Sequence, residues 1–182
     1  MSMICNLLGI SPAQIAALKA TPDLASYLAL HADEAQLGAV AAPGVLAALG
    51  PIGTVLDLHK SWHILHYLFT GNTGPATPPA DALMGGEELG EDIGYGPPRL
   101  HDTEATRAFA EFLKGMTLDA LNGRLNLAAM QQAGVYATPM GPRASKHDET
   151  LLRDEVAAYF APLRDYVVQM AASKNGILIW LS

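Results

Sequence analysis

Apolar runs of strand length lie near both ends of the chain. The first covers Met3 to Ile10, and the second covers Ile177 to Leu181. Runs this short and this apolar are typical of buried strands. We therefore expect the two ends of the chain to contribute neighbouring strands to one sheet.

Between these strands, apolar residues recur at helical spacing behind residues that begin helices well. A Ser, Thr or Asp side chain accepts hydrogen bonds from free amides at a helix start, and a proline there has no amide to satisfy. The predicted helices begin at Ser11-Pro12, at Thr21-Pro22-Asp23 (ending near Leu30), at Asp102-Thr103, at Thr117 and at Asp148, the last running to Ser173 with a kink or break at Pro162.

The block from Leu56 to Gly71, LDLHKSWHILHYLFTG, is the most informative part of the chain. Its pattern predicts a helix that begins near Asp57 and ends at Gly71. His59, His63 and His66 have the spacing that stacks side chains along one face of such a helix. We expect a polar site on this face.

Two long stretches show little regular pattern. Residues 39–56 contain no charged side chain, so a membrane span has to be considered. Proline and glycine interrupt this stretch several times, and a buried connection or short helix is therefore predicted instead. Residues 72–99 are rich in glycine and proline, which predicts a long loop. A loop of this length in a compact domain is often functional.

Composition narrows the classes of function. The formal charge is -7 with only 11 Lys and Arg among 182 residues, which argues against nucleic acid as a partner. Cys5 is the single cysteine, so no internal disulfide forms and a reducing compartment fits. No Lys or Arg precedes Lys19, so no export signal is expected. These features predict one cytoplasmic domain spanning residues 1–182.

Two blocks, together with the terminal strands, resemble the YfbM-like family of bacterial proteins, a family of unknown function. The blocks are LDLHKSWHILHYLFTG and IGYGPPRL, which begins at Ile93. The positions that match the family pattern are Asp57, Lys60, Trp62, His66, Gly71, Gly94, Tyr95, Gly96, Pro97 and Arg99. The resemblance implies a single three-layer domain of α/β class (mixed α+β), with helices packed around a small sheet that includes both termini. It implies no activity, although some members occur in genomic settings that suggest bacterial toxin immunity.

Three interpretations of the histidine face remain open. His59 and His63 have the spacing of helical zinc ligands, but the HExxH signature is absent because Lys60 stands where its glutamate would. The second interpretation is a pocket for an anion or another polar ligand. Its candidate ligand-binding residues are Lys60, Trp62, His63, His66, Tyr95 and Arg99. The third is that Trp62 is core, that the histidines are neutral and bonded to backbone carbonyls, and that Arg99 ties loop carbonyls together.

The chain lacks the common catalytic signatures. No GxSxG elbow, phosphate loop or dinucleotide turn is present. The carboxylates at Glu87, Glu88, Glu91 and Asp92 suit either a solvated face or a basic partner. We therefore predict a non-enzymatic binding module, such as an immunity protein that neutralises a toxin, with no catalytic residue, metal or cofactor. The alternative is a small-ligand-binding protein or enzyme that uses the polar pocket.

Overall fold

A five-stranded sheet joins the two ends of the chain. The computed structural model describes residues 2–32, 44, 47, 49–138 and 146–182. The strands with defined bounds are β1 (Cys5–Ile10), β2 (Val55–Asp57), β3 (Glu87–Glu88), β4 (Arg99–His101) and β5 (Gly176–Leu181). The helices with defined bounds are α1 (Pro12–Ala20), α2 (Asp23–Leu30), α3 (Ser61–Thr70), α4 (Thr103–Lys114), α5 (Leu118–Arg124), α6 (Leu127–Ala133) and α7 (Lys146–Ala172).

The strands lie in the order β2-β1-β5-β4-β3, and every pair is antiparallel. The register of the central pair runs from Cys5 opposite Leu181 to Ile10 opposite Gly176. Beyond it, the amides of Ile4 and Ser182 each donate to the other's carbonyl oxygen, at 2.8 and 2.9 Å. The prediction that the two ends of the chain are neighbours in one sheet is therefore confirmed.

Helices cover both faces of this sheet. Side chains alternate across a strand, so Leu7 and Ile179 point to one face while Leu8 and Leu178 point to the other. The first face packs against α3 to α7, and the second packs against α1 and α2. Every residue of β5 is buried, as expected for a central strand covered on both faces. The predicted three-layer, mixed α/β architecture is confirmed.

Local sequence signals explain where α1, α4 and α5 begin. Ser11 and Gln14 form a reciprocal capping box at the start of α1. Asp102 accepts from two amides at the start of α4, and the Thr117 hydroxyl accepts the Ala120 amide at the start of α5. The long helix α7 runs through Pro162 without a break.

The third helix begins later than predicted, at Ser61 instead of near Asp57. Val55 to Asp57 pair with β1 as strand β2, and the Asp57 carboxylate accepts the amide of His59 at 2.6 Å. His59 itself has a φ of 50°, which is incompatible with a helix. The helix ends at Gly71, which is left-handed with a φ of 73°, as predicted.

The two stretches with little regular pattern have different outcomes. Most of residues 39–48, the first part of the predicted connection, lies outside the described residues. The last part of the connection leads into β2. Residues 72–99 form an irregular segment as predicted, except that β3 interrupts it and Arg99 already belongs to β4. Across the described ranges, no helix is both long and apolar enough to cross a membrane.

Candidate functional site

The buried polar groups of α3 lie beneath the irregular segment 72–86. His63 and His66 share one face of α3, with their ring centroids 6.2 Å apart. Nδ1 of His63 accepts the amide of Tyr136 at 2.9 Å, so the proton of the neutral ring is on Nε2. Nε2 donates to the carbonyl oxygen of Thr73 at 2.9 Å. His63 therefore joins two separate backbone segments.

His66 makes the equivalent contact one turn further along α3. Its side chain is fully buried, and Nε2 lies 2.9 Å from the carbonyl oxygen of Gly74, to which it donates. No partner for Nδ1 is found among the described residues. Burial lowers the pKa of both His63 and His66, and the carbonyl contacts offset this only in part. Both rings are therefore neutral near pH 7.

Strand β4 holds the same segment from the sheet side. Nε2 of His101 lies 2.9 Å from the carbonyl oxygen of Ala82, and an Nη2 hydrogen of Arg99 points to that of Leu83 at 3.5 Å. Burial lowers the pKa of His101, so this ring is also neutral near pH 7. Three histidines and one arginine thus anchor segment 72–86 by its carbonyl oxygens.

The other predicted site residues have different surroundings. Trp62 is buried, stacks on His63 with centroids 4.8 Å apart, and donates from Nε1 to the carbonyl oxygen of Met3 at 3.3 Å. Tyr95 is half-buried against the core, and Lys60 is exposed at the start of α3. His59 lies before the helix, so the predicted stack of three histidines is wrong and only two remain.

The structure brings His63 and His66 together on α3. The polar contacts of these two rings and of Arg99 are made with backbone atoms. None of the six predicted residues lines any of the four main cavities in the described part of the chain. Their assignment as ligand-binding residues stays a prediction. Within the same ranges, no three His, Cys, Asp or Glu side chains converge as a metal-binding group would.

Sequence reasoning missed a cavity on the other side of segment 72–86. It has a volume of about 420 Å³ and lies between this segment, β4 and the first half of α4. Its buried floor contains Asp81 and His101. The one available signal was the glycine- and proline-rich loop itself, because nothing local indicates that residue 81 would lie near residue 101.

Cys5 is the first residue of β1, and its side chain belongs to the core between the sheet and the helices α3 to α7. Its thiol is fully buried, and burial raises its pKa to about 12. A buried thiol whose pKa is raised in this way is unreactive.

A second feature of this region is an exposed acidic turn, residues 87–92. Glu87, Glu88, Glu91 and Asp92 are all exposed, while Leu89 is buried beneath them. The Ser26 hydroxyl accepts the amide of Glu91 at 2.7 Å and donates to its carbonyl oxygen at 3.0 Å. The acidic turn is therefore fixed to α2.

Comparisons with known proteins agree on the family and on the fold. A family model described as a domain of unknown function (DUF1877) matches residues 1–180. A crystal structure of a protein of unknown function, YfbM from Escherichia coli, is similar with a TM-score of 0.68 at 18% identity, covering 99% of this chain and 100% of the other. No curated protein matches. The resemblance inferred from the sequence is therefore confirmed, and at this identity the solved structure supports the fold alone.

Proposed function

The chain belongs to the family defined by a domain of unknown function (DUF1877), which assigns it no role. From its own surface, we propose that it is a non-enzymatic binding module whose acidic turn, residues 87–92, contacts a basic protein partner. The observation that carries this proposal is the fixed presentation of four exposed carboxylates on one short turn.

Two of these carboxylates are available to a partner. Glu87 pairs with Lys19 at 2.7 Å, and Asp92 accepts the amides of Gly94 and Gly96 at 2.7 and 3.0 Å. In the described part of the chain, the side chains of Glu88 and Glu91 have no hydrogen bond or ion pair. With a formal charge of -7, the chain would also steer a basic partner towards it at low ionic strength.

The acidic turn needs little reorganisation on binding. The amide of Leu89 donates to the carbonyl oxygen of Pro98 at 2.9 Å, and Ser26 holds Glu91 at both backbone groups. A surface that is already ordered loses less conformational entropy when it binds. This ordering supports recognition of a folded partner.

The specific version that we propose is neutralisation of a bacterial toxin in the cytoplasm. The acidic charge, the single cysteine and the family resemblance support it. The alternative, a small-ligand-binding protein or enzyme using α3 and the loop at 93–100, is less well supported. Nε2 of His63, Nε2 of His66 and Nη2 of Arg99 donate to backbone carbonyl oxygens and do not point into a cavity.

The experiment pairs the protein with each protein encoded beside its gene. Cells that produce each neighbour are grown with the wild type, with the turn variant Glu88→Lys/Glu91→Lys, or with the control Asp119→Lys/Asp154→Lys. Asp119 and Asp154 are exposed on α5 and α7, so both variants change the net charge equally. We expect the wild type and the control to restore growth, and the turn variant to fail.

Two results would contradict the proposal in different ways. If no neighbouring product is neutralised by the wild type, the toxin-neutralising role is wrong. If the turn variant protects as well as the control does, a partner is bound but the acidic turn does not bind it.

A further inference from the structure

The cavity beside β4 has a buried floor and an exposed rim. Asp81 and His101 are 6% and 9% exposed at its floor, whereas Gly86, Glu87 and Asp102 at the rim are exposed. The apolar part of the wall is formed by Pro78, Pro79, Leu100, Ala105 and Ala108. The volume of about 420 Å³ is in the range of small-molecule sites.

Asp81 is the unusual group in this cavity. Its side chain has neither a hydrogen bond nor an ion pair within the described ranges, although the residue is only 6% exposed. The carboxylate oxygens are not among the fully buried atoms without a partner, so they are reached from the cavity. A carboxylate in this position can form a charge-assisted hydrogen bond with a cation that enters the cavity.

The nearest titratable groups do not supply that partner. The charge of Asp81 acts on His66 and on His101, but burial lowers the pKa of both rings and leaves them neutral near pH 7. Lys19 is committed to Glu87 at the rim. The Asp102 carboxylate accepts the amides of Glu104 and Ala105, which compensates the partial positive charge of the α4 start. No Lys or Arg side chain of the described residues therefore contacts the Asp81 carboxylate.

From this arrangement, we propose that the cavity binds an alkylammonium group, with the ammonium on the Asp81 carboxylate and the alkyl stem against the proline, leucine and alanine wall. A divalent metal fits less well, because calcium and magnesium need several oxygen ligands and Asp81 is the one uncommitted carboxylate on the floor. Among the described residues, no Phe, Tyr or Trp side chain lines the cavity, which disfavours a quaternary ammonium. The ammonium belongs either to a free amine or to a lysine side chain of another protein.

This inference does not rest on the proposed function, because Glu87 is the one residue of the acidic turn that reaches the cavity, at its rim, whereas Glu88 and Glu91 do not line it. The probe is n-butylamine, a cation at pH 7, and n-butanol is the uncharged control of equal length. Binding is measured by titration calorimetry and by chemical-shift changes of the full chain. Nα-acetyl-lysine methylamide tests whether a lysine side chain also enters.

Two variants separate charge from shape. Asp81→Asn keeps the size of the side chain and removes its charge, and we expect butylammonium to bind about tenfold to a hundredfold more weakly, as for loss of a charged hydrogen bond. Ala105→Leu fills the cavity from α4 without altering charge and should weaken binding as well. Asp154→Asn removes an exposed carboxylate elsewhere and should leave affinity unchanged. Circular dichroism establishes that each variant is folded.

The outcomes are distinct. Binding of butylammonium but not butanol, lost in Asp81→Asn and in Ala105→Leu, supports the site. Comparable binding of the lysine derivative then indicates a protein source for the ammonium, and its exclusion indicates a free amine. Equal affinity of wild type and Asp81→Asn, binding of butanol as strong as that of the amine, or no binding of the amine at all would overturn the proposal.

Discussion

Gly90 is the residue at which the acidic turn can be loosened without changing any charge. It has a φ of 76°, a conformation that residues with a Cβ rarely adopt. A Cβ at this position would lie 2.8 Å from the carbonyl oxygen of Pro22 and in still closer contact with Oγ of Ser26. Gly90→Ala therefore combines backbone strain with a steric clash.

The two costs can be estimated separately. The left-handed backbone costs roughly 1–2 kcal/mol once a Cβ is present. To relieve the clash, the turn must move away from α2, which breaks the two hydrogen bonds between Ser26 and Glu91. Their loss adds roughly 1–3 kcal/mol. We expect Gly90→Ala to lower the free energy of unfolding by about 2–5 kcal/mol in total.

Gly134 provides the matched control. Its φ is 74°, and a Cβ there would meet no atom within 4 Å, so Gly134→Ala should cost only the backbone term. Urea unfolding followed by fluorescence measures both variants, since Trp62 and Trp180 are each 3% exposed and report on the core. If the two alanine variants lose the same free energy within about 0.5 kcal/mol, the clash with α2 is not real.

Two further predictions concern buried polar groups. Stability should fall from pH 7 to pH 5, because His63, His66 and His101 have pKa values lowered from 6.5, so the unfolded chain binds protons first. The free energy of unfolding falls by at most about 1.4 kcal/mol per pH unit for each histidine. The urea midpoint of His66→Gln should therefore depend less steeply on pH than that of the wild type. A wild-type midpoint that does not change between pH 7 and pH 5 would contradict this prediction. Tyr166→Phe should cost about 1–3 kcal/mol, because the hydroxyl accepts the Gly9 amide at 2.7 Å and lies 2.9 Å from the Thr54 carbonyl oxygen. Tyr159→Phe is its control, and equal thermal midpoints for the two would refute this role.

The parts of the fold that could be predicted depend on local chemistry. The starts of α1, α4 and α5 are encoded by side chains within the first turn, and the end of α3 is encoded by Gly71. The strands β2, β3 and β4 were not predicted, because each has only two or three residues and exists through pairing with distant strands. The start of α3 was wrong for the same reason, since pairing of Val55–Asp57 with β1 overrides the helical pattern.

The histidine face shows the same limit at the level of the site. Its sequence allowed neutral rings bonded to backbone carbonyls, and His63 and His66 make such bonds. Which carbonyls they contact depends on how segment 72–86 crosses α3 and β4, and that path has no local signal. The same path brings Asp81 beside His101 in one cavity. Because the sequence has no local signal for it, neither residue was predicted as a site residue.

The central position of β5 has a consequence for synthesis of the chain. It is translated after every other described element, yet it lies between β1 and β4. Until it emerges from the ribosome, the remaining strands can form only two separate pairs, β2 with β1 and β4 with β3, and two-stranded pairs are marginal in water. The acidic turn and the cavity beside β4 should therefore acquire their final geometry only after β5 has emerged from the ribosome, so that binding by an incomplete chain is disfavoured.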